Sequence, residues 1–186
     1  MQTSLNLRRP MKAFFASGKK IRCIAIAMLL ALAACSDAAQ PSVAQQPADD
    51  ATCSLDGMTL KDFPGPKAQI QYTEGQADYF CDLIELFSVM LAPEQRRHVA
   101  GIFVQDMGKA EWDHPVGQWI DAKRAIYVTG SKKRGSMGPA FAAFSRAQDA
   151  ASFIAREGGV SRSFTQITPA LLGMRTTAKQ TQSLPP

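Results

Sequence analysis

The chain has 186 residues, 21 Lys and Arg residues against 16 Asp and Glu residues, and a net charge of +5. The excess of positive charge lies in residues 1–34, which hold six of the basic residues and none of the acidic ones. Without that segment the net charge is −1, so the composition gives no basic surface of the kind that binds nucleic acid. The remaining length suits one compact domain or two small subdomains.

The amino terminus has the pattern of an export signal. Basic residues precede a short apolar run from Ile24 to Ala34, which ends at Cys35. A basic start, an apolar core and small residues at the exit are typical of a secretory signal peptide. The run falls short of the roughly 20 apolar residues that a membrane-spanning helix needs.

The residues at the end of this run, Leu32-Ala33-Ala34-Cys35, resemble a bacterial lipobox. The resemblance implies that residues 1–34 are removed, that Cys35 is lipidated, and that the protein faces the periplasm from a membrane. Ser36 resembles a signal for sorting to the outer membrane, which favours that membrane over the inner one.

Two segments flank the predicted folded region, which covers residues 53–172. Residues 35–52 are polar, rich in Ala, Gln and Pro, and lack periodicity, so we predict a flexible tether. Residues 173–186 are polar and end in two prolines, which predicts a disordered tail.

The first part of the folded region, residues 53–110, predicts a hairpin, a helix and a strand. Residues 67–72 alternate in polarity like a half-buried strand, and residues 77–80 follow a turn and can pair back. Residues 82–91 place apolar side chains on one helical stripe, and residues 99–105 form a buried strand candidate.

The second part, residues 111–170, repeats this order. Its predicted elements are strands at 119–121 and 125–128, a basic glycine-containing loop at 131–138, a helix from Pro139 to Gly158-Gly159, and a last strand at 160–167. The sequence therefore predicts an α+β protein of two packed ββαβ units.

Soft donor atoms suggest a metal site. Cys53 and Met58 are five residues apart with Gly57 between them, so a turn brings a thiolate and a thioether together. Such donors select Cu(I) over harder cations. This pair is our first choice of ligands, although the spacing also fits an ordinary core methionine.

Four other residues could complete the metal shell. They are Met107, Met137, Cys81 and His114. Met137 lies in a polar, glycine-rich loop, and Cys81 lies at a helix start, where its thiol pKa would be lowered. The alternative for the two remaining cysteines is a disulfide between Cys53 and Cys81, since exported proteins commonly form them.

Enzyme motifs are poorly represented. The sequence contains no nucleophile elbow, phosphate-binding loop, dinucleotide fingerprint or His-Glu-x-x-His motif. We therefore predict a protein that is not an enzyme.

Seven short motifs occur in an order that resembles the NosL family, the nitrous oxide reductase accessory lipoproteins. They are Cys53…Gly57-Met58, Phe63-Pro64-Gly65-Pro66-Lys67, Phe80-Cys81-Asp82, Val104-Gln105-Asp106-Met107, Trp112-Asp113-His114-Pro115, Ile120-Asp121-Ala122 and Met137-Gly138-Pro139. Many family members have a Cys-x-x-Cys-Gly-Met signature, but Asp56 stands here at the second cysteine position.

The resemblance implies a function as well as a fold of paired ββαβ units. It implies a periplasmic Cu(I) chaperone that supplies copper for the copper–sulfide centre of nitrous oxide reductase. The implied partners are the apo-reductase and the membrane ABC-type transporter complex of the same assembly system. The competing interpretation is a scaffold lipoprotein, held by a Cys53–Cys81 disulfide, that binds no metal.

Overall fold

The structure, a computed structural model, describes residues 42–92 and 97–174. The predicted signal peptide, Cys35 and residues 175–186 of the predicted tail lie outside these ranges. Within them, no helix has the length and apolar character needed to cross a membrane.

The first unit is built on an antiparallel sheet with the strand order β2-β1-β3-β4. Its elements in chain order are β1 (Ala68–Tyr72), β2 (Asp78–Phe80), α1 (Leu83–Met90), β3 (Val99–Gln105) and β4 (Trp119–Asp121). Strand β1 lies between β2 and β3, and all of its residues are buried. The first four elements form the predicted ββαβ unit.

The second unit repeats this topology in a three-stranded sheet of order β8-β5-β9. Its elements are β5 (Ile126–Thr129), β8 (Ala142–Phe144), α2 (Ala147–Glu157) and β9 (Val160–Ser163). Between β5 and β8, a small hairpin is formed by β6 (Arg134–Gly135) and β7 (Gly138–Pro139). In both units the first strand is central, so the predicted α+β class with paired ββαβ units is confirmed.

One hydrophobic core joins the two units. Leu83, Leu86 and Phe87 of α1 are buried with residues of the first sheet and with Tyr127 of the second. The rings of Phe87 and Tyr127 meet edge to face, with their centroids 5.2 Å apart. The apolar stripe predicted for this helix therefore faces the core.

The predicted start of the second helix at Pro139 is wrong, because α2 begins at Ala147. Residues 142–144 instead form β8, where all three side chains are buried and the strand pairs with β5. A short, continuous apolar run fits a buried strand as well as a helix, so its periodicity could not separate the two. The predicted helix end holds, since Gly158 follows Glu157 with a positive φ of 75°.

The predicted boundary between the units also needs correction. Residues 119–121 were assigned to the second unit, but they form β4 and pair with β3 of the first sheet. The second unit therefore starts at β5. The sequence of a three-residue strand is too short to show which strand it pairs with. The pairing of β4 with β3 is set by side-chain burial around β3 instead.

The predicted tether does not extend to residue 52. Gln45 exchanges two 2.8 Å hydrogen bonds with the buried side chain of Gln69 on β1. The Ser42 hydroxyl donates to the carbonyl of Ala100, and Thr52 bridges to Thr59. Residues 42–52 therefore lie against the first unit, because their polar groups pair with the sheet rather than with water.

Candidate metal centre

The start of α1 brings a carboxylate towards Cys81. The side chain of Asp82 caps the helix by accepting from the backbone N–H of Glu85 at 3.0 Å. The Glu85 side chain turns back, and its Oε2 accepts from the backbone N–H of Cys81 at 2.9 Å. This reciprocal arrangement is close to a capping box, and it fixes Glu85 in the buried interior beside Cys81.

A tight loop positions Cys53. The Cys53 N–H donates to the carbonyl of Met58 at 2.8 Å, and the Gly57 N–H donates back to the carbonyl of Cys53 at 2.9 Å. Gly57 has a φ of 78°, which glycine adopts without strain. The Ser54 N–H donates to the carbonyl of Tyr79 on β2, two residues before Cys81. We call residues 53–58 the Cys53 loop.

Three ligand atoms converge where this loop meets the helix start. One donor atom from each of Cys53, Cys81 and Glu85 lies within 4.8 Å of the other two. The Cys53 thiol donates to Glu85 Oε2 at 3.1 Å, and both cysteines are buried and free. In residues 42–92 and 97–174, this is the one cluster of three His, Cys, Asp or Glu side chains that could hold an ion.

The other carboxylate oxygen of Glu85 lacks a hydrogen-bond partner. Glu85 Oε1 is fully buried, and no group of the described residues donates to it. Leaving a buried acceptor unpaired costs about 1–3 kcal/mol. Glu85 therefore has one carboxylate oxygen in contact with the Cys53 thiol and a second, unpaired oxygen that a bound cation could satisfy.

Burial keeps the thiols protonated in the apo protein. Burial raises the pKa of Cys53, although the backbone N–H groups of Cys81, Leu55 and Asp56 oppose the shift. Burial and the negative charges of Cys53 and Glu85 raise the pKa of Cys81 to about 12. Burial also raises the pKa of Glu85. A metal that binds here as a thiolate complex must therefore displace protons.

The structure brings together two of the predicted ligand residues, Cys53 and Cys81. The predicted fall of the Cys81 thiol pKa at the helix start is wrong, because burial and the negative charges of Cys53 and Glu85 raise this pKa instead. The Met58 carbonyl accepts from the Cys81 thiol at 3.7 Å. The Met58 side chain packs on the hydrophobic core that contains both cysteines.

The other predicted ligands, Met107, His114 and Met137, do not belong to the group formed by Cys53, Cys81 and Glu85. Met107 packs on the second core cluster with Phe144 and Phe153, and His114 is exposed and does not belong to the three-residue group. Met137 is 70% exposed at the turn of the β6–β7 hairpin. Its neighbour Ser136 donates to the Asp82 carboxylate, so the hairpin tip is held near the helix start.

Glu85 was missed by the sequence reasoning. The interpretation of residues 82–91 rested on the apolar stripe of the helix and assigned no role to Glu85. The available signal was Asp82-x-x-Glu85 directly after Cys81, the spacing at which a helix-start glutamate turns back towards the preceding residues.

Asp56 has a structural role at the position where the resemblance to the NosL family leads us to expect a second cysteine. Its Oδ1 accepts from the Met58 N–H at 3.0 Å, which closes the Cys53 loop and lowers the pKa of Asp56. The second thiol of the cluster comes from Cys81 instead. A pair of thiols is therefore present, although the loop itself contributes only one.

Comparison with known proteins agrees with this structure. A sequence profile of the NosL family matches residues 44–172. The "Copper-binding lipoprotein NosL" of Stutzerimonas stutzeri is 35% identical over 153 residues, which is 80% of each chain. The protein of the same description from Achromobacter cycloclastes is 38% identical over 161 residues, covering 82% of this chain and 83% of the relative.

A solved structure shares the fold. The crystal structure of the copper chaperone NosL from Shewanella denitrificans superposes with a TM-score of 0.67 at 36% sequence identity. The match covers 70% of this chain and 98% of that one. By sequence and by fold, the chain belongs to the NosL family.

Proposed function

We propose that this protein is a lipid-anchored Cu(I) carrier that binds copper through the thiolates of Cys53 and Cys81. The main support for this proposal is that two free, buried thiols and the Glu85 carboxylate each place a ligand atom within 4.8 Å of the other two. Thiolates are soft ligands that favour Cu(I). The relatives described as copper-binding lipoproteins and as a copper chaperone support the same metal.

The Cys53 loop supplies a route for transfer. Residues 54–57 at its tip are exposed, whereas Cys53 at its base and Cys81 behind it are buried. An acceptor that approaches from the loop side meets Cys53 first. A copper ion held by two thiolates has room for a third donor, so an acceptor ligand can bind before a carrier bond breaks.

The neutral donors have secondary roles in this proposal. The Met58 side chain packs on the hydrophobic core that contains both cysteines, and a thioether bond to the ion would leave the charge of the site unchanged. Met137 lies on an exposed turn near the helix start and could meet the ion during transfer. Met107 and His114 are not proposed as ligands of the resting site, since one packs in the second cluster and the other is exposed.

The proposed destination is the copper–sulfide centre of nitrous oxide reductase. Family membership supports this, and the proposed partners are the apo-reductase and the ABC-type transporter complex of the assembly system. Lipid on Cys35 would hold the carrier at the periplasmic side of a membrane, with the outer membrane favoured. Cys35→Ser should release the protein from the membrane fraction, and continued membrane association would contradict the anchor.

Titration of Cu(I) against a competing chelator tests the metal site. Cys53→Ser and Cys81→Ser should each weaken binding at least about tenfold, because each removes a thiolate. Met58→Leu keeps the side-chain volume and should have a smaller effect. Met107→Leu is the matched control away from the cluster, and equal affinities in all four variants would refute the assignment.

Thiol counting separates this proposal from the disulfide-bonded scaffold. The structure contains two free cysteines in the described part of the chain. The protein purified as residues 36–186, which lacks Cys23 and Cys35, and kept under mild reductant should react with two equivalents of a thiol reagent after unfolding. A protein that shows no reactive thiol until strong reduction would favour the scaffold.

A further inference from the structure

A buried lysine lies next to the candidate metal centre. Lys67 precedes β1 and is only 3% exposed. Its ammonium donates to four backbone carbonyls, those of Phe63 at 2.8 Å, Gly65 at 3.0 Å, Cys81 at 3.1 Å and Pro64 at 3.2 Å. All four partners are acceptors, and an ammonium has only donors, so the geometry fits the charged form.

Among the described residues, Lys67 is the only basic residue whose side chain is buried. The other buried charged side chains are Asp82, Glu85 and Asp106, all of them acidic. Burial lowers the pKa of the Lys67 ammonium to about 8, and negative charge on Cys81, Asp82 and Glu85 opposes this shift. A cation is therefore fixed beside the cluster, held by the backbone rather than by a carboxylate.

The charge that a metal brings depends on its valence. A Cu(I) ion held by two thiolates replaces two neutral thiols by a group of net charge −1. A Hg(II) ion held by the same thiolates gives a neutral group. Creating negative charge in a buried site is unfavourable unless a positive charge lies close by.

We propose that Lys67 is a specificity-determining residue, whose fixed charge offsets the negative charge of a monovalent ion bound by two thiolates and so favours Cu(I) over divalent soft ions. This inference rests on the proposed Cys53–Cys81 metal site. It assigns to the Phe63–Lys67 turn a role in choosing the ion, because the carbonyls of that turn hold the ammonium in place.

The test compares ions of different charge in Lys67→Gln. Glutamine keeps amide donors for the carbonyls but carries no charge. Competition titrations with Cu(I), Ag(I) and Hg(II) should show Cu(I) and Ag(I) affinity reduced by roughly tenfold or more, the effect of one nearby charge. Hg(II) affinity should change much less. Exposed Lys61→Gln is the matched control and should leave all three affinities unchanged.

The changes in affinity for the three ions distinguish an electrostatic role of Lys67 from a purely structural one. If Lys67 only holds the turn, its loss loosens the thiol pair and weakens the three ions by the same factor, which would overturn the inference. Lys67→Met provides a second uncharged variant if Lys67→Gln does not fold, and circular dichroism checks the fold of each. Wild-type Cu(I) binding that does not depend on Cys53 and Cys81 would instead refute the proposed site itself.

Discussion

Raising the pH should strengthen Cu(I) binding, because both thiols hold their protons in the folded protein. Burial raises the pKa of Cys53, and it raises that of Cys81 to about 12 together with neighbouring negative charge. A metal must compete with these protons, so acid weakens binding and base strengthens it. Each proton displaced changes the affinity about tenfold per pH unit.

The magnitude follows from the number of thiols. Displacement of two protons gives about a 10⁴-fold rise in affinity between about pH 6 and pH 8, or about 5.4 kcal/mol. Glu85 accepts the Cys53 hydrogen bond at 3.1 Å. If the Cys53 proton passes to this carboxylate, one proton reaches solvent and the rise is about 100-fold. An amide cannot take up that proton, so Glu85→Gln should release two.

The assay is a chelator competition at several pH values, corrected for the protonation of the chelator, with proton release measured in weakly buffered solution. Cys81→Ser should reduce the number of released protons by about one. Met58→Leu is the control, because a thioether carries no proton and its loss leaves the count unchanged. Cu(I) affinity that stays constant with pH, with no proton release, would refute the thiolate assignment.

Two further predictions concern stability, measured by urea unfolding. Buried Asp106 accepts from the backbone N–H and the hydroxyl of Ser145, which ties the end of β3 to the end of β8. Asp106→Ala should therefore lower the free energy of unfolding by about 2–4 kcal/mol, whereas Asp149→Ala, which removes an ion pair with the exposed Arg146 side chain, should have a smaller effect. Tyr127→Phe removes a 2.6 Å hydrogen bond to the carbonyl of Ala122 and should cost about 1 kcal/mol, since that carbonyl is then left with the longer 3.4 Å bond from the Ala125 N–H. An unchanged unfolding midpoint in either buried variant would contradict the corresponding hydrogen bond.

Local pattern predicted much of the fold. Strand β3 was predicted at residues 99–105, and it occupies Val99–Gln105. Helix α1 was predicted from its apolar stripe, and Leu83, Leu86 and Phe87 are indeed buried. The helix has an apolar stripe and the strand is a short apolar run, so local preference and burial agree in both elements.

The errors in the fold came from choices that depend on distant partners. Residues 142–144 form a strand because they pair with the edge of β5. Residues 119–121 pair with β3 rather than with β5. Residues 42–52 look like a linker, yet Gln45 pairs with a glutamine buried on β1. Such pairings join residues that are far apart in sequence, and local composition carries no record of them.

The site was predicted in part for a related reason. Cys53 and Cys81 were recognised as soft donors, but nothing in their spacing of 28 residues indicates that their sulfur atoms meet. Their approach depends on the backbone bond from Ser54 to Tyr79 and on the pairing of β1 with β2. Glu85 was missed because its role follows from the direction in which a helix-start side chain turns.

X-ray absorption on the Cu(I)-loaded protein tests the central claim most directly, because it counts the sulfur neighbours of the metal. The wild-type protein should show a first shell dominated by the thiolate sulfurs of Cys53 and Cys81. Cys81→Ser should lose one sulfur neighbour, and Met107→Leu should lose none. A shell of nitrogen and oxygen ligands, or a sulfur count unchanged in Cys81→Ser, would contradict the proposal that this thiol pair carries the copper.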